Sequence, residues 1–79
     1  MAQVDAQFLQ QCREKPERKV AVVLTVDDGF DAAEAKRLGL KEIQAGRLYS
    51  GTLSCDAVVA LSQRAGVVAI EPDFDISVT

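Results

Sequence analysis

The chain has 79 residues and a formal net charge of −3, with 9 Lys and Arg against 12 Asp and Glu and no His. That length makes one domain with a thin core, in which roughly 60% of the unfolded surface is buried. The basic residues are scattered, with only Arg18-Lys19 and Lys36-Arg37 adjacent. Neither nucleic acid nor an anionic membrane surface is therefore an expected partner.

Hydrophobic residues form 48% of the chain, which places it in the globular class. The aromatics are Phe8, Phe30, Tyr49 and Phe74, so the core is expected to come from Val, Leu, Ile and Ala. No apolar run approaches the roughly 18 residues of a membrane span. The opening stretch MAQVDAQFLQQCREK has neither the basic nor the apolar region of a secretory signal. A cytoplasmic protein with Cys12 and Cys55 reduced is the resulting expectation, in preference to a disulfide between them. Two cysteines without His do not make a zinc site.

Residues 1–17 read as a leader. Val4, Phe8, Leu9 and Cys12 form a narrow apolar stripe at helical period, bounded by Pro16. The stripe suits either a frayed segment or a helix docked on the domain. Residues 18–73 form the domain proper. RKVAVVLTV, residues 18–26, is the strongest strand signal, β-branched and unbroken from Val20 to Leu24. The DDGFD run that follows holds a turn at Asp28-Gly29, then Asp31 as an N-cap with Glu34 at capping-box spacing. A short helix with an Ala32, Ala35 and Leu38 edge should stop at Gly39 in the left-handed C′ position.

LKEIQAGRLYSGTLS predicts a β-hairpin, with its bend at Gly46-Arg47 or Ser50-Gly51. Ser54 then caps a second helix whose core face is Val58, Leu61 and Ala65. Asp56 in its first turn and Arg64 in its last suit the helix dipole. Gly66 closes it, and Val67 to Ile70 form the last strand. Pro72 lacks a backbone donor, so strand hydrogen bonding is expected to end there. Residues 74–79 are a C-terminal tail.

The order strand, helix, strand, strand, helix, strand predicts an α+β fold of the ferredoxin-like split βαβ type. It implies a four-stranded antiparallel sheet in the order 4-1-3-2, two helices on one face and an optional N-terminal helix. Val20, Val22, Leu24 and Val26 point to one face of the first strand, and Ala21, Val23 and Thr25 to the other. The face away from the helices is thus not fully polar. The leader, a second copy or a partner protein is expected to cover it.

Residues suited to chemistry are few. DDGFD does not meet the spacing of a calcium loop, and turn plus cap account for Asp28, Gly29 and Asp31. Cys55 follows a helix cap, where a dipole can lower a thiol pKa, but without His there is no cysteine–histidine pair. It reads instead as a small half-buried helix residue, and Cys12 as packing. No glycine-rich phosphate loop is present. A non-enzymatic protein with no cofactor and no metal is the expectation.

The run YSGTLSCDAVVALSQRAGVVAIEPD, residues 49–73, resembles the second half of the subtilisin-propeptide and proteinase B inhibitor family. Gly51, Leu53, Ser54, Val58, Leu61, Gly66, Val67, Ile70, Glu71 and Asp73 stand where that family's pattern places them. The first half matches in outline, through Val20 to Val26. The resemblance implies a ferredoxin-like domain whose open sheet face packs on a subtilisin-like serine protease, as inhibitor or folding chaperone. The segment after the last strand would then lie extended in the protease cleft. Thr79 would enter the primary specificity pocket, preceded by Val78 and Ser77, with Ile76 in an apolar pocket upstream. Glu71 and Asp73 would face helix N-termini of the protease. The alternative from the residues alone is a small cytoplasmic interaction or regulatory module, a homodimer through the open face.

Overall fold

The computed structural model describes residues 2–73. In chain order the elements are β1 (Gln3–Val4), α1 (Ala6–Glu14), β2 (Lys19–Val26), α2 (Ala32–Arg37), β3 (Lys41–Gln44), β4 (Leu48–Ser54), α3 (Cys55–Leu61) and β5 (Val67–Pro72). They build an α+β fold with one five-stranded sheet in the order β1-β5-β2-β4-β3. The four strands read from the sequence lie side by side in the expected order. The sheet as a whole corrects the four-stranded antiparallel expectation: β1 adds a fifth strand, parallel to β5, with Gln3 beside Ala69 and Val4 beside Ile70.

The leader is therefore structured in two parts. Two residues extend the sheet, and Asp5 then caps α1 by accepting the Phe8 N–H at 3.0 Å. Phe8 and Cys12 of the apolar stripe enter the core, and α1 packs beside α3.

The other helices start as their sequence signals require. Asp31 accepts the Ala33 N–H at 3.0 Å, and Ser54 Oγ accepts the Ala57 N–H at 3.2 Å. Gly39 follows α2 with φ +78°. The hairpin bend is at Gly46. Gly51 instead lies inside β4, opposite Val22, where a Cβ would press on Leu40 Cδ2 at 2.9 Å. The bare backbone there lets Leu40 pack on the sheet.

Three sequence readings of the helical segments change. Ala32 and Ala65 are exposed, so Ala35 and the partly buried Leu38 make the core edge of α2, and Cys55 joins Val58 and Leu61 in α3. Arg64 lies beyond α3, which ends at Leu61, and donates to Glu34 at 2.8 Å. Glu34 also pairs with Arg37, so its carboxylate ties the two helical regions together instead of closing a capping box.

Gly66 is the tightest point of the turn into β5. Its φ is +88°, and a Cβ there would collide with the backbone of Gly29 and Phe30. The Asp27–Phe30 turn fits against it. Asp27 Oδ1 accepts the Gly29 N–H at 2.8 Å, and the Asp27 N–H donates to the Gly66 carbonyl at 2.9 Å.

The core comprises Val22, Leu24 and Val26 of β2, Tyr49 and Leu53 of β4, Val67 and Ile70 of β5, and the inward residues of the three helices. Leu24, Ile70, Val22 and Val58 are among its most deeply buried members. The helices therefore cover one face of the sheet, and α1 joins α3 on that face. The leader, one of the three coverings expected for the opposite face, does not cover it.

Candidate functional site

Cross-strand register defines the face that no helix among the described residues covers. One row across it reads Lys41, Ser50, Val23, Glu71, and the next reads Gln44, Leu48, Thr25, Ala69, Gln3. Ala21 and Asp73 continue it towards the end of β5, where the Asp73 N–H donates to the Ala21 carbonyl at 2.8 Å. Val23 and Leu48 are half-buried and form a short apolar seam among small polar residues. This face carries few long charged side chains at its centre, so a partner would desolvate little there.

The pairing through Asp73 corrects the reading of Pro72. Pro72 sits opposite Val22 within the ladder, and the strand does not stop at it. Flanking bonds to β2 are made by its neighbours, so the missing N–H falls on the side towards the sheet edge. There β1 has already ended, with Val4 beside Ile70.

Among the predicted partner-binding residues, Glu71 and Asp73 are exposed at the open face and its end. Ile76, Ser77, Val78 and Thr79 lie outside the described residues. The structure thus brings Glu71 and Asp73 together with Val23 and Ala21, which the sequence marked as unpartnered apolar positions.

Two exposed large hydrophobic side chains stand out, Ile43 at 57% and Val68 at 43%. Both lie where the strand register shifts, Ile43 between Glu42 and Gln44, and Val68 opposite the Thr25–Val26 step. A bulge inserts a residue without a partner, which turns its side chain out of the regular alternation.

A separate cleft of about 560 Å³ opens at the end of the sheet where β2 begins and β5 ends. Phe8, Cys12, Val20 and Cys55 line its apolar part, and Asp5, Arg18 and Asp73 its polar part. The loop before β2 closes onto the start of α3: the Pro16 and Arg18 carbonyls accept the Asp56 and Cys55 N–H groups at 2.9 and 2.7 Å. Cys55 is fully buried, not half-buried. Burial, reinforced by the adjacent thiol of Cys55, pushes the Cys12 thiol up to about 12, with Arg18 acting weakly against it. Cys12 is accordingly a protonated, non-nucleophilic thiol at neutral pH. The adjacency of the two cysteines was not predicted. Its one sequence signal is that each lies on the apolar side of its own helix.

The acidic DDGFD run is occupied structurally, since Asp27 shapes the turn and Asp31 caps α2. Among the described residues no group of three or more acidic, Cys or His side chains is placed to hold a metal ion. No helix among them is long and apolar enough to cross a membrane. Tyr49, tilted against Phe30 with ring centroids 5.9 Å apart, has its hydroxyl raised in pKa by burial and by nearby Glu42.

No protein-family model matches the chain, and neither a curated protein nor a solved structure shows significant similarity to it.

Proposed function

We propose that the chain is a small, non-catalytic, ferredoxin-like binding module that docks on a subtilisin-like serine protease through its open sheet face. The segment after Asp73 acts as an extended arm in the protease cleft. The observation that carries this reading is the bare face: α1 packs on the helix side with α3, so the leader leaves Val23, Leu48 and Glu71 uncovered. The resemblance over residues 49–73 supports it further. Its fold-determining positions Leu53, Val58, Leu61, Val67 and Ile70 are buried, and Ser54 is a helix cap. Because β5 stays paired through Asp73, the arm would leave from a fixed point beside the docking face.

Titration of the intact protein against a panel of subtilisin-like proteases tests this reading. Inhibition at micromolar concentration or better is expected, and deletion of residues 74–79 should remove most of it. No inhibition of any member by the intact protein would sink the proposal.

A second reading, a homodimer through the same face, is favoured by its charge layout. Lys41 and Glu71 stand at opposite ends of one cross-strand row. A two-fold axis along the strands would set Glu71 of one copy over Lys41 of the other. Sedimentation at two concentrations separates the readings: a dimer persisting at nanomolar concentration favours this one.

A further inference from the structure

The Cys12–Cys55 pair lies on the helix side of the sheet, in a cleft that meets the open face at Ala21 and Asp73, and the docking reading makes no use of it. The two residues come from helices far apart in sequence, and the packing of α1 on α3 brings them to the same wall of one cleft. Both are free thiols, and both are fully buried in the core. The surrounding side chains Phe8 and Val20 are apolar. An apolar site penalises a thiolate or a thiolate–metal centre, whereas a disulfide carries no charge. Neither side chain is exposed at rest, so a small reagent reaches this wall from the cleft through local opening of α1 and not through global unfolding.

We propose that Cys12 and Cys55 are a redox modification site: they close into a reversible disulfide that fastens α1 to α3. The oxidant is a small-molecule disulfide, RSSR. When α1 opens locally from α3 and water reaches the pair, one cysteine loses its proton to solvent and the thiolate attacks RSSR, forming a mixed disulfide and releasing one RS⁻. The second cysteine sulfur then displaces the other RS⁻, forming the Cys12–Cys55 bond. The protein gives up two electrons and two protons, and RSSR becomes two RSH. A reducing cytoplasm keeps the pair open, and an oxidising setting closes it.

The consequence is directed at the leader. β1 holds it to the sheet by only Gln3 and Val4, and α1 holds it by packing. The disulfide adds a covalent link across the long span of chain between the helices, which restricts the unfolded ensemble.

The test uses the wild-type protein, incubated in native buffer with excess oxidised glutathione and followed by intact mass and thermal melting. The expected product is a monomer lighter by about 2 Da with no free thiol. Its melting temperature should rise by on the order of 10 °C and fall back on adding reductant. Trypsin cleavage after the exposed basic residues 13–19 should leave the peptide containing Cys12 attached to the oxidised protein and release it from the reduced one. Stable glutathione adducts, disulfide-linked dimers, or an internal disulfide that leaves the melting temperature unchanged or lowered would each overturn the proposal.

Discussion

The two faces of β2 are built from alternate residues of one strand, yet they have opposite fates. Val22, Leu24 and Val26 are buried beneath three helices, while Ala21 is exposed and Val23 and Thr25 only half-buried. In sequence the two sets differ little, since both contain Val and both lack charge. What separates them is where the helices go, and α1 settles it by joining α3 and not crossing to the other side. Apolar character along a strand therefore reports that a face can be covered. It does not report which element covers it.

Substitution on the two faces is the most direct way to break that comparison. Leu24→Ala removes a fully buried side chain and should cost about 2–5 kcal/mol in urea unfolding. Val23→Ala, its immediate neighbour, should cost less than about 1 kcal/mol. Equal losses would mean that both faces are covered in solution. Gly66→Ala probes the turn that positions β5 for both faces. The positive φ and the collision with the Phe30 backbone should cost about 2 kcal/mol or more by the same measurement.

A charge placed on the open face sharpens the comparison differently. Val23→Lys should leave the melting temperature within a few degrees of wild type. The same change should weaken protease inhibition by about tenfold or more. Parallel loss of stability and inhibition would show that Val23 acts in folding instead of docking.

The smallest expected effect concerns pH. Hydrogen bonding to Arg37, with the charges of Arg37 and Arg64, holds the Glu34 carboxyl below its ordinary value of 4.5, against a smaller opposing effect of burial. A depressed folded-state pKa contributes stability that is present above the unfolded value and lost as pH falls through the folded one. The stability difference between wild type and Glu34→Gln should thus be constant at neutral pH and shrink as acid is added below about pH 4.5. A difference that grows in acid would contradict the assigned ion pairs.

Much of the fold was legible because its signals are local. Asp31 and Ser54 cap their helices as the side-chain chemistry requires, and the unbroken Val20–Leu24 run marks the central strand. The adjacency of the two most apolar strands also follows from burial. What escaped was non-local. A two-residue strand such as Gln3–Val4 has no periodicity to read, so β1 was invisible before its partner was known. Pro72 was misread because its effect depends on which neighbour its nitrogen faces. Arg64 was assigned to the helix dipole because nothing in the sequence reveals that Glu34 lies beside it.

The candidate site divides in the same way. Alternation named the unpartnered positions of β2, and the family resemblance named Glu71 and Asp73; strand pairing places them on one surface. The cleft and its cysteine pair arise only when α1 meets α3. No spacing rule connects residues drawn from two helices at distant points of the chain.

The parallel pairing of β1 with β5 also sets a timetable. Gln3 leaves the ribosome well before its partner Ala69, which lies far further along the chain. The central strand β2 likewise waits for β5 to complete one of its two sides. Contacts between residues far apart in a chain form slowly, since a large loop must close before they repay its entropy. The leader should therefore become protected from solvent exchange late in refolding, even though it is translated before the strand it pairs with.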